Sequence, residues 1–197
     1  MDFETRAIHD GQEPDPTTGA VIPPIYQTST FVHDEVGVHK GYDYSRAGNP
    51  TRTALETCLA SLEGAEHGLA YSSGLGATTT IMHLVSPGEH VVCVNDVYGG
   101  VYRMFSQVYE PKGYRFTYLS ADQIAAGLDK HLDDTTRIVW LETPTNPLLN
   151  IVDIRAAADA AHAGGALVVV DNTFATPYLQ RPLELGADVV VHSTTKY

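Results

Sequence analysis

Two patterns of apolar residues divide this chain of 197 residues. Over residues 1–50 the apolar positions keep neither a helical nor a strand period. Turn formers recur there at Gly11, Pro14, Pro16, Gly19, Pro23, Pro24, Gly41 and Gly48. So long an irregular stretch is uncommon inside a compact domain. Ile22, Ile25, Tyr26, Phe31, Tyr42 and Tyr44 make it too apolar for a free tail, so an extended arm lying on another surface is expected. From Asn49 onward the pattern is regular. Asn49-Pro50 predicts a helix start, with Asn as cap and Pro in the first turn. Leu55, Cys58, Leu59 and Leu62 then repeat at helical spacing, and Gly64 closes the helix. A short strand is predicted at Gly68–Ser72, then a helix from the Ser73–Gly76 turn to just before Pro87-Gly88. Strands follow at Val91–Val94, Arg115–Leu119, Ile138–Leu141, Ala166–Val170 and Val189–Val191. Helices are predicted between them, through Val101, Met104, Phe105 and Val108, then over Ala121–Lys130 and Asp153–Ala163.

Short apolar strands alternating with helices predict an α/β fold with a mostly parallel sheet covered on both faces. The expected organisation is an arm over residues 1–50 and a sheet domain over 51–197. Ligands of such sheets bind outside the carboxyl ends of the strands. Candidate chemistry is therefore sought there.

Composition removes several function classes. Hydrophobic residues make up 43% of the chain, enough for a packed core. The formal net charge is −12, from 24 acidic against 12 basic residues. That balance, with no Lys/Arg cluster, argues against a nucleic-acid partner. Cys58 and Cys93 are far apart, and the nine histidines show no ligand spacing, so neither a disulfide framework nor a metal site is expected. The polar start and the lack of a run of about 18 apolar residues argue against a signal segment or a membrane span. A cytoplasmic protein is the expectation. The last residue, Tyr197, follows directly on a reactive-looking lysine, so the sequence is expected to be part of a longer protein.

Three kinds of residue cluster at strand ends. Ser72-Ser73-Gly74-Leu75-Gly76 lies between a strand and a helix, where free N–H groups and the helix dipole suit a phosphate, although an ordinary glycine turn would look the same. Thr79 stands where a third glycine would complete a dinucleotide fingerprint, and no P-loop lysine follows. Asn146 and Asp171 lie beyond two successive strands. There an amide can hydrogen-bond a ring oxygen and a carboxylate can pair with a protonated ring nitrogen, while capping and turn formation are the plain alternatives. Lys196 follows a third strand, flanked by the hydroxyls of Ser193 and Thr195. It is either a solvated surface amine or a nucleophile toward a carbonyl. Together these groups match the handles of pyridoxal phosphate: its phosphate, pyridine nitrogen, 3-oxygen and aldehyde.

Six ordered motifs carry a resemblance. They are Tyr44-Ser45-Arg46-Ala47-Gly48-Asn49-Pro50-Thr51, Ser73-Gly74-Leu75, Val97-Tyr98-Gly99-Gly100, Glu142-Thr143-Pro144-Thr145-Asn146-Pro147, Val170-Asp171-Asn172-Thr173-Phe174 and Ser193-Thr194-Thr195-Lys196-Tyr197. They resemble the Cys/Met-metabolism family of pyridoxal-phosphate-dependent enzymes, and the match runs over essentially the whole chain. The resemblance implies an aspartate-aminotransferase-like (type I) fold and a homotetramer built from active dimers. It assigns Lys196 to the covalent bond with the cofactor aldehyde, Asp171 to the pyridine nitrogen and Asn146 to the 3-oxygen. Tyr98 is implied to stack on the ring and to assist leaving-group protonation. Ser73, Gly74, Leu75, Ser193 and Thr195 are implied to hold the phosphate, with Thr173 also at the cofactor. Tyr44 and Arg46 are implied to reach the phosphate of a neighbouring subunit, which gives the apolar arm its purpose. A smaller C-terminal domain, bearing the arginine for the substrate carboxylate, is implied beyond this sequence.

The activity implied is elimination or replacement at the γ-carbon of sulfur amino acids, with Lys196 as the base at the substrate Cα and Cβ. Asp43 matches the acidic position of members that handle cystathionine and would meet the distal ammonium of the substrate. The expectation is therefore a cystathionine γ-lyase or γ-synthase type of reaction. Methionine γ-lyase and cystathionine β-lyase are the alternatives, the former disfavoured because Gly100 stands where those enzymes typically carry cysteine. A nucleotide-dependent oxidoreductase and a non-catalytic scaffold are the readings from other classes. The first is disfavoured by the incomplete glycine fingerprint, the second by the chemical competence of every cofactor-contacting position.

Overall fold

A computed structural model describes residues 1–196, and Tyr197 of the last motif lies outside the described residues. The chain forms two compact units, residues 1–70 and 71–197.

In the first unit, α1 (Phe3–His9) packs against α2 (Pro50–Glu63). The start of α2 forms as its sequence predicts. The Asn49 side chain caps the Thr51 N–H at 2.9 Å, Pro50 occupies the first turn, and Gly64 ends the helix at φ 72°. Gly11 approaches α2 so closely that a Cβ there would lie 2.5 Å from the Ala54 carbonyl oxygen. The arm is more ordered than its composition suggests. A small antiparallel hairpin joins β1 (His33–Glu35) to β2 (Val38–His39), and the Asp15 carboxylate accepts from the N–H groups of Thr17 and Thr18. Helix α1 escapes a periodicity reading because none of its residues is buried and its Asp2 cap makes no side-chain bond. Packing on α2 sustains it, as is general for short helices. The expected boundary near residue 50 and the observed one near 70 differ by the length of α2 and its exit.

The second unit is built on a five-stranded parallel sheet in the order β4-β3-β5-β6-β7. Its strands are β3 (His90–Val94), β4 (Arg115–Leu119), β5 (Thr136–Glu142), β6 (Leu167–Asp171) and β7 (Val189–Val191). Alternate residues of a strand face opposite sides, yet Val168, Val169 and Val170 are all fully buried, so both faces are covered. The helices of this unit are α3 (Gly74–Ile81), α4 (Gly99–Met104), α5 (Ala121–Ala125), α6 (Ile154–Ala163) and α7 (Thr176–Leu179). A π-turn at Phe105–Tyr109 follows α4. It seats the Phe105 ring 5.6 Å from Trp140 on β5 and 4.7 Å from Phe116 on β4. Helix α6 is capped by Asp153 and buries Ala157, Ala158 and Ala161. No helix among the described residues is long and apolar enough to cross a membrane.

Two expected elements differ. The strand at Gly68–Ser72 does not form, because the Ala70 N–H donates to the Glu56 carboxylate (2.8 Å) rather than to a ladder. The helix expected over Ala121–Lys130 ends at Ala125, since Gly127 adopts φ 136° and a 3₁₀ turn takes over at Leu128–His131.

At the amino ends of the strands, His90 is buried between two hydroxyls, with Nδ1 2.9 Å from Thr136 Oγ1 and Nε2 2.9 Å from Thr117 Oγ1. Desolvation lowers its pKa, opposed by the nearby Asp133 carboxylate and reinforced by Arg115. A depressed histidine costs no stability above its unfolded value and costs progressively more as pH falls through the folded one. His90 is therefore expected to subtract stability from the full-length protein below about pH 6.5, the unperturbed imidazole value. In His90→Gln, urea unfolding between pH 7.5 and 5 is expected to show a shallower acid decline, and an unchanged decline contradicts the assignment.

Candidate active site

Strand order reverses at β3. The connection from β3 leads outward to β4, whereas β5 returns to the other side of β3 and leads on to β6. The crevice outside the carboxyl ends of β3 and β5 is thus the switch point where ligands of open α/β sheets bind. Asp96 and Tyr98 follow β3; Glu142 ends β5 and Asn146 follows it. Asp96 clamps the second segment to the first. Its carboxylate accepts from the Thr145 hydroxyl and from the Leu148 N–H (3.0 Å), and its carbonyl accepts from the Asn146 N–H (3.3 Å). Asn146 is thereby held beside the crevice through its own N–H and through the Thr145 hydroxyl and Leu148 N–H that flank it.

The next strand ends continue the row. Glu142 pairs in register with Asp171, and Asp171 with Val191. Register neighbours share a face of the sheet, so the two carboxyl groups stand side by side. Asp171 accepts at one oxygen from both the N–H (3.0 Å) and the hydroxyl of Thr173. The Thr173 hydroxyl in turn accepts the Ser193 N–H at 2.9 Å. The segment after β7, which carries Ser193, Thr195 and Lys196, is thereby tied to the Asp171 carboxylate through one threonine. Gln180, just after α7, donates to the Thr143 carbonyl and to Asn172 Oδ1, both at 2.8 Å, and so braces the loops beyond β5 and β6.

Helix α3 brings a third wall. Ser73 caps it by accepting the Gly76 N–H at 3.0 Å, and Gly74 and Leu75 occupy the first turn, whose N–H groups have no acceptor within the helix. A Cβ on Gly74 would lie 3.1 Å from Ser193 Cβ, so the helix start and the segment after β7 approach as closely as a glycine permits. Ser193 Oγ and Thr195 Oγ1 lie 2.8 Å apart beside it. Two N–H groups and two hydroxyls thus converge where α3 begins. Lys196 is exposed, its N–H donating to the Ser193 carbonyl at 3.2 Å.

Two carboxylates were not singled out by sequence reasoning. Asp96 carries no signal beyond its place after a strand. Glu142 stands inside a quoted motif, and its position at the last residue of a buried strand was the available clue. It is 4% exposed and accepts the Tyr98 N–H at 2.7 Å. Burial pushes its carboxyl up to about 8, the Tyr98 N–H opposing and the charges of Asp171 and Asp96 adding. Burial likewise raises Asp171, against the bonds from Thr173 and the influence of His192.

Of the remaining expected residues, Asp43, Tyr44 and Arg46 belong to the first unit. The Tyr44 N–H donates to the Asp43 carboxylate at 2.7 Å, and the Arg46 guanidinium lies over the Tyr44 ring, 5.1 Å from its centre. Among the described residues no group of three or more potential ligands could hold a metal ion.

Such a fold, with anion donors at one helix start and carboxyl and amine groups along neighbouring strand ends, defines a cofactor-binding α/β protein. The model of the Cys/Met metabolism PLP-dependent enzyme family matches residues 4–197, and the chain belongs to that family. It is 55% identical over 99% of its length to a probable cystathionine gamma-synthase of Herpetosiphon aurantiacus, covering 61% of that protein. It is 48% identical over 100% of its length to a cystathionine gamma-lyase of Bacillus subtilis, covering 52% of that protein. The crystal structure of metB from Corynebacterium glutamicum matches with a TM-score of 0.96 and 46% identity, over 100% of this chain and 51% of that one. The chain thus spans about half to three fifths of the length of these relatives. Pyridoxal phosphate is the cofactor of the family, and the residues present fit it. An anion suits the uncapped N–H groups and hydroxyls at α3, and a cationic ring nitrogen suits a carboxyl that burial makes reluctant to ionise alone.

The raised Glu142 has a measurable consequence in the cofactor-free, full-length protein. The folded state holds a proton that the unfolded state releases near its ordinary value of 4.5, so the contribution of Glu142 to stability falls as pH rises from there to about 8. The fall is on the order of 3–5 kcal/mol at 1.36 kcal/mol per pH unit of displacement. Glu142→Gln is expected to flatten this slope in urea titrations, and an unaltered slope contradicts a buried, proton-holding Glu142.

Proposed function

We propose that this chain is the cofactor-binding part of an enzyme that breaks or exchanges carbon–sulfur bonds of sulfur amino acids, of the cystathionine γ-lyase or γ-synthase type. The observation that carries the reading is the row of strand ends presenting Tyr98, Asn146, Asp171 and Lys196 beside the α3 donors. Relatives named cystathionine gamma-synthase, gamma-lyase and beta-lyase support it. Methionine γ-lyase and cystathionine β-lyase are the alternatives within the same chemistry.

Each residue then has a task. Gly74 and Leu75 N–H groups, with Ser73, Ser193 and Thr195, hold the phosphate; Tyr44 and Arg46 serve the phosphate of a neighbouring subunit. Asn146 binds the ring oxygen, and Tyr98 covers the ring face. Asp171, oriented by Thr173, holds a proton on the ring nitrogen. Bound pyridoxal phosphate supplies an electron sink for charge developing at the substrate Cα. Lys196 anchors the cofactor, then moves the proton at Cα and, for γ-chemistry, at Cβ. Tyr98 is placed to protonate the sulfur leaving group, and Asp43 to meet the distal ammonium of cystathionine. The exposed Val21, Ile22, Ile25, Val32 and Val36 of the first unit support an arm that packs on another subunit of a homotetramer. The cytoplasm is the proposed location.

In the full-length enzyme, Lys196→Ala is expected to abolish turnover and the borohydride-trappable adduct. Normal turnover in that variant contradicts the role of Lys196. With cystathionine as substrate, rapid release of 2-oxobutanoate marks γ-elimination. Its absence, with activity on an activated homoserine plus cysteine, marks γ-replacement.

A further inference from the structure

We infer that Glu142 is a positioning residue for the reaction, holding Tyr98 over the ring site by accepting its backbone N–H. The inference rests on the proposed role of Tyr98 and deepens it. Tyr98 precedes α4, and its own side chain makes no capping bond there. Its backbone is instead anchored across the switch point, by a carboxyl on β5 that is 4% exposed and 2.7 Å away. The ring itself is 43% exposed and folds down over Gly100, where a Cβ would stand 2.4 Å from Tyr98 Cε1. The N–H is thus set from beneath by Glu142, while the ring lies in the space left open above Gly100.

Glu142 also stands in register with Asp171, the group proposed for the ring nitrogen. One rigid strand pair thus fixes the group under the ring edge and the anchor of the residue over the ring face. A protonated carboxyl still offers its carbonyl oxygen to the Tyr98 N–H, and an amide offers the same atom. Alanine offers nothing, and leaves the Tyr98 N–H without this acceptor.

The test is a double-mutant cycle in the full-length holoenzyme, with cofactor content measured by borohydride trapping on a separate sample of each variant. Glu142→Ala is expected to lower kcat/KM about 10- to 100-fold, the order that misplacing a group by about 1 Å produces. In a Tyr98→Ala background it is expected to cost less than about 3-fold, because the group it positions is gone. Glu142→Gln is expected to recover most of the loss. Visible circular dichroism of the bound cofactor is expected to fall alike in Glu142→Ala and in Tyr98→Ala, and to stay near the wild-type value in Glu142→Gln. Equal losses from Glu142→Ala in both backgrounds overturn the inference, as does a Glu142→Gln variant as impaired as the alanine one. A wild-type enzyme with no trappable cofactor or no turnover would instead defeat the underlying functional reading, and so the two failures are distinguishable.

Discussion

The in-register pairing of β5, β6 and β7 at their carboxyl ends is the constraint from which the rest of the site follows. Parallel strands hold register through evenly spaced hydrogen bonds, and a slip of one residue would turn every side chain to the opposite face. Val139–Leu141 and Val168–Val170 are apolar on both faces, so a slip is opposed by the close packing that each side chain makes in its own place. Glu142 and Asp171 are therefore delivered to one row by the core beneath them, not by contacts of their own. The polar groups stand on the last residues that the hydrophobic core specifies.

Above that row, order is passed on by side-chain bonds to backbone. Asp171 holds Thr173, and Thr173 holds Ser193; Asp96 holds the loop of Asn146; Glu142 holds Tyr98. In each case the acceptor sits at or just past a strand end, and the segment it steadies carries a residue proposed to meet cofactor. Glycine adds close approach where a side chain would intrude, at Gly74 against Ser193 and at Gly100 beneath Tyr98.

Much of this was legible from residue patterns, and the failures have physical causes. Strands β3 to β7 announce themselves because runs such as Leu167–Val170 are apolar on both faces, and α2 because cap, proline and terminal glycine agree. The chemistry proposed for Lys196, Asp171 and Asn146 is suggested by the sequence only in their combination, since each residue alone has a plainer use. Helix α1 was missed because its stability comes from a partner helix distant in sequence. The strand expected at Gly68–Ser72 failed because a side chain, Glu56, takes the N–H that a ladder would need. Glu142 was passed over because its importance lies in burial and in a bond to a residue 44 positions earlier.

His90 and the Glu142–Asp171 pair occupy opposite ends of the same sheet, and their titrations oppose each other. Acid works against the amino end, where a buried imidazole resists gaining a proton; alkali works against the carboxyl end, where two buried carboxyls resist losing theirs. The cofactor-free protein is squeezed from both sides toward an intermediate pH of greatest stability. A cation seated against Asp171 relieves the alkaline side alone. The pH of greatest stability, and how far it moves toward alkali when cofactor is added, is thus an internal gauge of how fully the site is loaded.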